Sequence, residues 1–167
     1  MRVEVAVLLL LALAACGRED APPTAAKALS CAADGAISAE GAWLREQADA
    51  GGMTAAYFTV CNGAAQPTIL TGVATSVAEL AELHETTRDE NGVVSMAPTG
   101  PITLAPGERV VFEPGGKHAM LMRLSGAINA GDQAALTLQF EDGSSVVVEA
   151  IAKSAIEAAA PDSREGH

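Results

Sequence analysis

Short apolar segments separated by turn signals constrain the fold of this chain more than any other feature. ALTLQF (135–140) and SSVVVEAIA (144–152) flank the turn residues EDG, which predicts a hairpin. Leu136, Leu138 and Phe140 alternate with polar or small residues, as a half-buried strand requires. The spacing of these segments predicts an antiparallel sandwich or barrel. Segments of the same character are AAYFTVC (55–61), TILTGVAT (68–75), VVSMAP (93–98), ERVVFE (108–113) and HAMLMRL (118–124).

The segment SVAELAELHETT (76–87) fits two kinds of secondary structure. Val77 and His84 fall on one face of a helix, whereas Glu82, His84 and Thr86 alternate as they would on a strand. Periodicity alone does not separate the two. Because the neighbouring segments have a β pattern, we predict a strand across at least Glu82 to Thr86.

The N-terminus has the features of a secretory leader. One arginine precedes an apolar run that is too short to span a bilayer comfortably, so we interpret residues 1–15 as a signal peptide. Its final residues, LAAC, resemble the bacterial lipobox, in which the cysteine is lipidated and becomes the mature N-terminus. That resemblance makes Cys16 the lipid-bearing residue. Ordinary secretion with cleavage nearby is the alternative, and either reading places the protein outside the cytoplasm.

Composition predicts a single domain between two solvated ends. Residues 16–30 are rich in Ala, Pro, Thr and charge without an apolar period, which predicts a flexible tether. Residues 31–153 provide enough chain for one core. Residues 154–167 are expected to form a disordered tail.

The charge of the chain restricts its partners. The formal net charge is −11, so phosphate backbones and anionic head groups are repelled, and nucleic acid is an unfavourable partner. Membrane attachment would therefore come from acyl chains and not from a basic face.

Two further cysteines, Cys31 and Cys61, lie in the same oxidising compartment. Such a pair forms a disulfide more often than it stays as two free thiols. A disulfide here would close a loop of about 30 residues and stabilise the fold by ~3 kcal/mol. The chain contains no CxxC motif, which disfavours thiol oxidoreductase activity.

Four residues form a pattern with long, defined gaps. Eleven residues separate His84 from Met96, twenty-one separate Met96 from His118, and one separates His118 from Met120. This pattern resembles the signature H(M)-x10-M-x21-H-x-M of the periplasmic copper chaperones called PCu(A)C. The similarity extends to ELHET, PGGKHAML, AAYFTVCNG and LTLQFEDG, and covers roughly residues 42–152.

The resemblance implies a cupredoxin-like (immunoglobulin-like) antiparallel β-sandwich that binds one Cu(I). It implies the ligands His84, Met96, His118 and Met120, and delivery of copper to the CuA centre of respiratory cytochrome oxidase by ligand exchange. The expected partners are the copper-bearing subunit of the oxidase or another assembly copper chaperone. The protein would be periplasmic, anchored to the membrane through lipid, and not an enzyme.

The residue types themselves favour Cu(I) binding, independently of the family resemblance. Thioether sulfur is a soft donor that selects Cu(I), and imidazole binds copper in either oxidation state. In an oxidising compartment, oxidation removes methionine as a metal ligand less readily than it removes cysteine. Histidine must be neutral to bind, so affinity should weaken as the pH falls below about 6.

Strand geometry separates the candidate ligands from the other methionines. His118 and Met120 would share one face of a strand with Cα atoms about 7 Å apart, whereas Met122 would lie about 13 Å from His118. We therefore interpret Met122 as a flanking or core residue. Met53 is interpreted as a core or loop residue, and the terminal His167 as incidental.

The upstream pair depends on the hairpin that joins its strands. A two-residue Asn91-Gly92 turn would oppose Thr87 to Met96 and turn His84 away. A three-residue loop, with Gly92 in the left-handed region, would oppose Thr86 to Met96 and place His84 on the face of Met96. The copper hypothesis requires the second register, or another connection that places the same residues on one face.

Two departures from the family and two rival functions stay open. Glu85 occupies the optional Met position of the signature, and the tail has one His and no Met, which makes a second Cu(II) site doubtful. Trp43 matches a family aromatic and is assigned to packing. The rivals are a copper-buffering or resistance lipoprotein without a dedicated acceptor, and a structural lipoprotein that binds no metal.

Overall fold

The computed structural model of the protein describes residue 31 and residues 35–159. Within this part no helix is both long and apolar enough to cross a membrane. The elements in chain order are β1 (Ile37–Arg45), β2 (Met53–Asn62), β3 (Thr68–Ala74), β4 (Ala78–Arg88), β5 (Val94–Pro98), β6 (Ile102–Leu104), β7 (Arg109–Phe112), β8 (Lys117–Leu124), β9 (Gln133–Phe140), β10 (Ser145–Lys153) and α1 (Ala155–Ala159).

The strands form one hydrogen-bonded path in the order β5-β4-β8-β2-β1-β10-β9-β3-β6, with β7 paired to β2. Every pairing is antiparallel except that of β1 with β10, which is parallel. The register of β1 on β2 shifts between Glu40 and Trp43, and such irregularities let a strand pass from one layer of a sandwich to the other. The all-β, sandwich-type prediction is confirmed, and the parallel β1–β10 pair is a detail that the sequence did not predict.

One apolar core lies between the two halves of this path. Each core strand turns alternate side chains inward, as the period of the sequence requires. Phe58 of β2 stacks on Phe112 of β7 with ring centroids 4.2 Å apart. From the half that contains β4 and β8, the core receives Leu83, Ala119 and Leu121, and from the opposite half it receives Leu70, Val73, Leu104, Leu136, Leu138, Phe140 and Ala150.

The ambiguous segment is a strand along its whole length. β4 pairs with β5 on one side and with β8 on the other. Leu83 points into the core, and His84 therefore points to the opposite face of the sheet. The strand prediction for Glu82 to Thr86 is confirmed, and the helical alternative is wrong because two strand partners satisfy the backbone of β4.

The end of β8 contains a change of face. Arg123 has a φ of 55°, in the left-handed region, and its Nε atom lies 3.1 Å from a carboxylate oxygen of Glu79. Leu121 and Leu124 are both buried although they are three residues apart, because this irregular residue resets the alternation. The outward face of β8 that begins at His118 therefore ends at Met122.

A short helix begins where the sequence predicts a disordered tail. The Ser154 hydroxyl accepts the backbone N–H of Glu157 at 3.3 Å, and the Glu157 carboxylate accepts the backbone N–H of Ser154 at 3.0 Å, which is a capping box. The Ser154 hydroxyl also donates to the Glu157 carboxylate at 2.7 Å. The hydrogen bond from the Ser154 side chain lowers the pKa of the Glu157 carboxyl. This capping accounts for order at Ala155–Ala159. Residues 160–167, including His167, lie outside the described residues, as do the leader, Cys16 and the tether.

A disulfide joins Cys31 to Cys61, with Cα atoms 5.5 Å apart. Cys61 pairs with Ser38 of β1 and Arg109 of β7, near the end of β2. The bridge therefore holds the chain that enters the domain against the central strands.

Candidate metal centre

The β4–β5 hairpin has the register that a shared face requires. Thr86 opposes Met96, and the loop of residues 90–92 closes with Gly92 at a φ of 81°. The Asp89 carboxylate accepts the backbone N–H of Asn91 at 2.9 Å and that of Val93 at 2.8 Å, which fixes the loop. The three-residue prediction is confirmed, and Met96 lies one pleat from His84 on the same face of the sheet.

The β4–β8 ladder brings the second pair alongside the first. His84 directly opposes His118, and Glu82 opposes Met120. The two imidazole rings meet edge to face with centroids 6.0 Å apart. Residues that are 34 positions apart in the sequence thus become cross-strand neighbours.

Each histidine has one ring nitrogen engaged and one left over. The Gly116 carbonyl lies 3.1 Å from Nδ1 of His118 and can only accept, so Nδ1 carries the proton and Nε2 has the lone pair. Nε2 of His84 lies 3.4 Å from a Glu82 carboxylate oxygen, which leaves the lone pair on Nδ1.

The two remaining nitrogens are the notable feature of this site. In the described part of the chain, Nδ1 of His84 and Nε2 of His118 are the buried side-chain nitrogen or oxygen atoms that lack a hydrogen-bond partner. An unsatisfied buried polar atom costs about 1–3 kcal/mol, so two of them in adjacent rings indicate a ligand. Both nitrogens have the lone pair that a metal ion requires.

The methionine side chains border an open depression of about 470 Å³. Met96, His118 and Met120 line it together with Thr86, Tyr57 and the Pro114–Gly115 turn. Met96 is 52% exposed, whereas His118 is 3% exposed. The depression therefore has the buried imidazole of His118 on one side and the solvent-accessible thioether of Met96 on another. The described residues contain no cluster of three or more His, Cys, Asp or Glu side chains placed to hold a metal, so a hard or thiolate-rich site is not formed among them.

Two aromatic rings support His118 from β1 and β2. Tyr57 lies 6.3 Å from the His118 ring centroid, and Trp43 lies 4.4 Å from the Tyr57 centroid. Lys153 places its ammonium 5.0 Å from the Trp43 centroid. Burial raises the pKa of the Tyr57 phenol above its ordinary value, and the Arg45 guanidinium opposes this effect. Trp43 thus has the packing role that the sequence assigned to it.

Glu85, at the optional methionine position, does not belong to the site. It opposes Lys117, whose Nζ atom lies 2.6 Å from its carboxylate. Alternation along β4 turns Glu85 to the face opposite His84. The acidic substitution therefore leaves the donor set of the depression unchanged.

The structure adds one residue that sequence reasoning set aside. Met53 lines the same depression as Met96, His118 and Met120, and it directly opposes Met122. It was interpreted as a core or loop residue because it follows two glycines and precedes a strand, and no pattern within one strand shows that β2 pairs with β8. Pairing of AAYFTVC with HAMLMRL was the only signal that could have placed it there.

The fold is that of a PCuAC-type domain, as two solved structures show. The structure described as "Copper-bound PCuAC domain from PmoF2" has 29% sequence identity and a TM-score of 0.59, covering 71% of this chain and 92% of that one. The structure described as "Solution structure of CuI-DR1885 from Deinococcus Radiodurans" has 30% identity and a TM-score of 0.55, covering 80% of this chain and 85% of that one.

Sequence comparison assigns the family. The family model "Putative lipoprotein LpqE-like" matches residues 37–152. The protein named "Putative lipoprotein Lxx21020" from Leifsonia xyli subsp. xyli (strain CTCB07) is 34% identical over 146 residues, 86% of this chain and 84% of that protein. This chain belongs to the LpqE-like lipoprotein family, whose fold is that of the PCuAC copper chaperones.

Proposed function

We propose that this protein binds one Cu(I) ion through Nδ1 of His84, Nε2 of His118 and the sulfur atoms of Met96 and Met120. The observation that carries the proposal is the pair of buried, unpartnered ring nitrogens on opposed residues of β4 and β8. Met96 and Met120 border the depression beside them. The solved relatives described as copper-bound and as CuI-DR1885 support the choice of metal.

The donor types favour Cu(I) over other metals. Thioether sulfur selects the soft monovalent ion, and neutral imidazole accepts it as well. All four donors are uncharged, which disfavours divalent ions that prefer carboxylate ligands. The Glu82 carboxylate contacts the far nitrogen of His84, where it orients the ring.

The exposure of the donors sets the order of transfer. Met96 lies on β5, an edge strand, and is 52% exposed, so an acceptor reaches its sulfur first. His118 is 3% exposed and is released last. An acceptor replaces the donors one at a time, and the copper stays Cu(I) throughout. This exchange requires no nucleophile and no general base, so the protein acts as a carrier and not as an enzyme.

The acceptor is the CuA-bearing subunit of cytochrome oxidase, or another assembly copper chaperone that supplies it. Lipid on Cys16 holds the domain at the periplasmic side of a membrane, and the tether of residues 16–30 lets the depression reach a membrane-embedded acceptor. The lipoprotein description of the family supports this anchoring.

An anaerobic competition titration against a chromogenic Cu(I) chelator tests the proposal. We expect one tight equivalent for the wild type and a loss of affinity of at least tenfold for His118→Ala and Met120→Leu. Glu85→Gln is the matched control, because Glu85 adjoins His84 but faces away from it. A wild type that takes no tight Cu(I), or variants that bind as the wild type does, would overturn the ligand assignment.

Delivery is tested separately from binding. The Cu(I)-loaded protein is mixed with the soluble CuA domain of an oxidase and with a non-acceptor protein, and copper is measured on each after separation. We expect transfer to the CuA domain alone. Retention of copper in both mixtures would instead favour a storage role.

A further inference from the structure

The four methionines of the described residues lie on one face of the sheet. Met96 and Met120 are the proposed ligands, and Met53 opposes Met122 across the β2–β8 ladder. Leu80 opposes Met122 from the other side. The chain has only 5 methionines among 167 residues, so their gathering on one face is not a consequence of abundance.

The side chains of Met53, Met120 and Met122 are close enough to one another to form a set of three sulfur donors that includes no histidine. Met53 and Met122 are a direct cross-strand pair, whose Cβ atoms lie about 4.5–5.5 Å apart. Met120 opposes Ala55, so it is the diagonal neighbour of Met53, at about 7–8 Å, within reach of long side chains. Met120 and Met122 are about 7 Å apart along β8. Three thioether sulfurs can therefore converge at this corner.

Met53 is exposed although its backbone is held in place. Its side chain is 58% exposed, and its carbonyl accepts a hydrogen bond from the Gln47 amide at 3.0 Å. A core residue would be covered, and a residue on a loose loop would not be held in a strand. The side chain instead lines the depression that contains Met96, His118 and Met120.

We propose that Met53, Met120 and Met122 form an accessory Cu(I) subsite at the rim of the depression. The subsite rests on the proposed function and deepens it, because Met120 is shared by both sets of donors. Cu(I) bound to the three sulfurs reaches the main site when bonds to His84, His118 and Met96 replace those to Met53 and Met122. The oxidation state is unchanged, and only coordination bonds form and break. Without an imidazole donor, the subsite binds more weakly than the main site.

Methyl NMR of the full-length chain with ¹³C-methyl methionine tests this proposal. Cu(I) is added anaerobically from a weakly chelated stock, and the resonances are assigned with single Met→Leu variants, which conserve volume. We expect the first equivalent to shift the resonances of Met96 and Met120. The second should shift those of Met53 and Met122, with the Met120 sulfur, which has two lone pairs, bridging the two ions. The double variant Met53→Leu/Met122→Leu should lose the second event and keep the first. Leu80→Ala is the control that alters the same corner without removing sulfur, and it should keep both.

The outcomes separate this proposal from the main one. If the Met120 resonance shifts while those of Met53 and Met122 do not change up to three equivalents of Cu(I), the accessory subsite is wrong and the main site stands. If Met53 and Met122 shift with the first equivalent, they belong to the main site and a separate subsite is excluded. If no methionine shifts, the proposed function itself fails.

Discussion

His84 and His118 oppose each other on adjacent antiparallel strands, with ring centroids 6.0 Å apart and one unpartnered buried nitrogen on each ring. The strands set the separation, and the Gly116 carbonyl and the Glu82 carboxylate set which nitrogen is left over. A nitrogen pair is therefore prepared before any ligand arrives. Such preparation reduces the reorganisation needed for binding.

Replacement of Glu82 should weaken copper binding through His84. Glu82→Gln removes the charge that holds the His84 ring, and loss of such an outer partner costs about 10–100-fold in metal affinity. Because the Glu82 side chain is 44% exposed, we expect a loss near the lower end of that range. The competition titration measures it, and ¹⁵N NMR of the His84 ring should show a mixed tautomer. Glu79→Gln, which alters an exposed carboxylate paired with Arg123, is the control. Equal affinities for the two variants would contradict an orienting role for Glu82.

The left-handed residue of the β4–β5 loop should contribute to stability. Gly92 has a φ of 81°, and a Cβ there would meet nothing closer than 3.9 Å, so backbone strain is the main cost of substitution. Gly92→Ala should lose roughly 1 kcal/mol in the free energy of unfolding, measured by urea denaturation. Gly126→Ala, at a position with open space and no positive φ, should not destabilise. A loss that is the same in both variants would show that the conformation of Gly92 is not the cause.

Burial of Tyr57 should make stability fall at alkaline pH. Burial raises the pKa of the phenol above its ordinary value near 10. Because the fold favours the protonated phenol, Tyr57 contributes to the free energy of unfolding. This contribution is fully present below about pH 10 and is lost as the pH rises through the raised pKa of the folded state. Tyr57 is the single tyrosine of the chain, so tyrosinate absorbance follows it directly, and we expect a midpoint above 10. Tyr57→Phe should decline less steeply in stability above pH 10. A midpoint at or below 10 would show that the phenol is not desolvated.

The disulfide should stabilise the fold without tuning the metal site. Its cysteines are 30 residues apart, a separation for which the loop-entropy model gives about 3–4 kcal/mol. Cys31→Ala/Cys61→Ala should lose stability of this order in urea denaturation. Cu(I) affinity should stay within about twofold, since Cys61 lies some 20 Å along β2 from Ala55 at the depression. A tenfold loss of affinity would show that the bridge and the site are coupled.

The elements that the sequence revealed are those with a strong local pattern. β9 alternates clearly, β9 and β10 flank a turn signal, and β2 and β7 are rich in β-branched or aromatic residues. β8 lies between the turn residues PGG and the turn-like segment SGAINAGD. β1 (ISAEGAWLR) was not recognised, because its small and charged residues carry little β preference. Its place is set by pairing with β2 and β10, which is tertiary information.

The site was accessible to sequence reasoning only in part. Turn chemistry at Asn91-Gly92 left two registers open. The copper hypothesis required the one that places Met96 on the face of His84, and the structure has that register. The opposition of His84 to His118 required the pairing of β4 with β8, which no local pattern encodes. Met53 was interpreted as a core or loop residue for the same reason, since the neighbours that place it at the depression come from β8.

X-ray absorption spectroscopy of the protein loaded with one equivalent of Cu(I) tests the central claim most directly. The account predicts a Cu(I) edge and a coordination sphere of two nitrogen and two sulfur atoms. His118→Ala should remove one nitrogen, and Met120→Leu one sulfur. A sphere without sulfur, or one that is identical in the wild type and both variants, would contradict the assignment of His84, Met96, His118 and Met120 as the ligands.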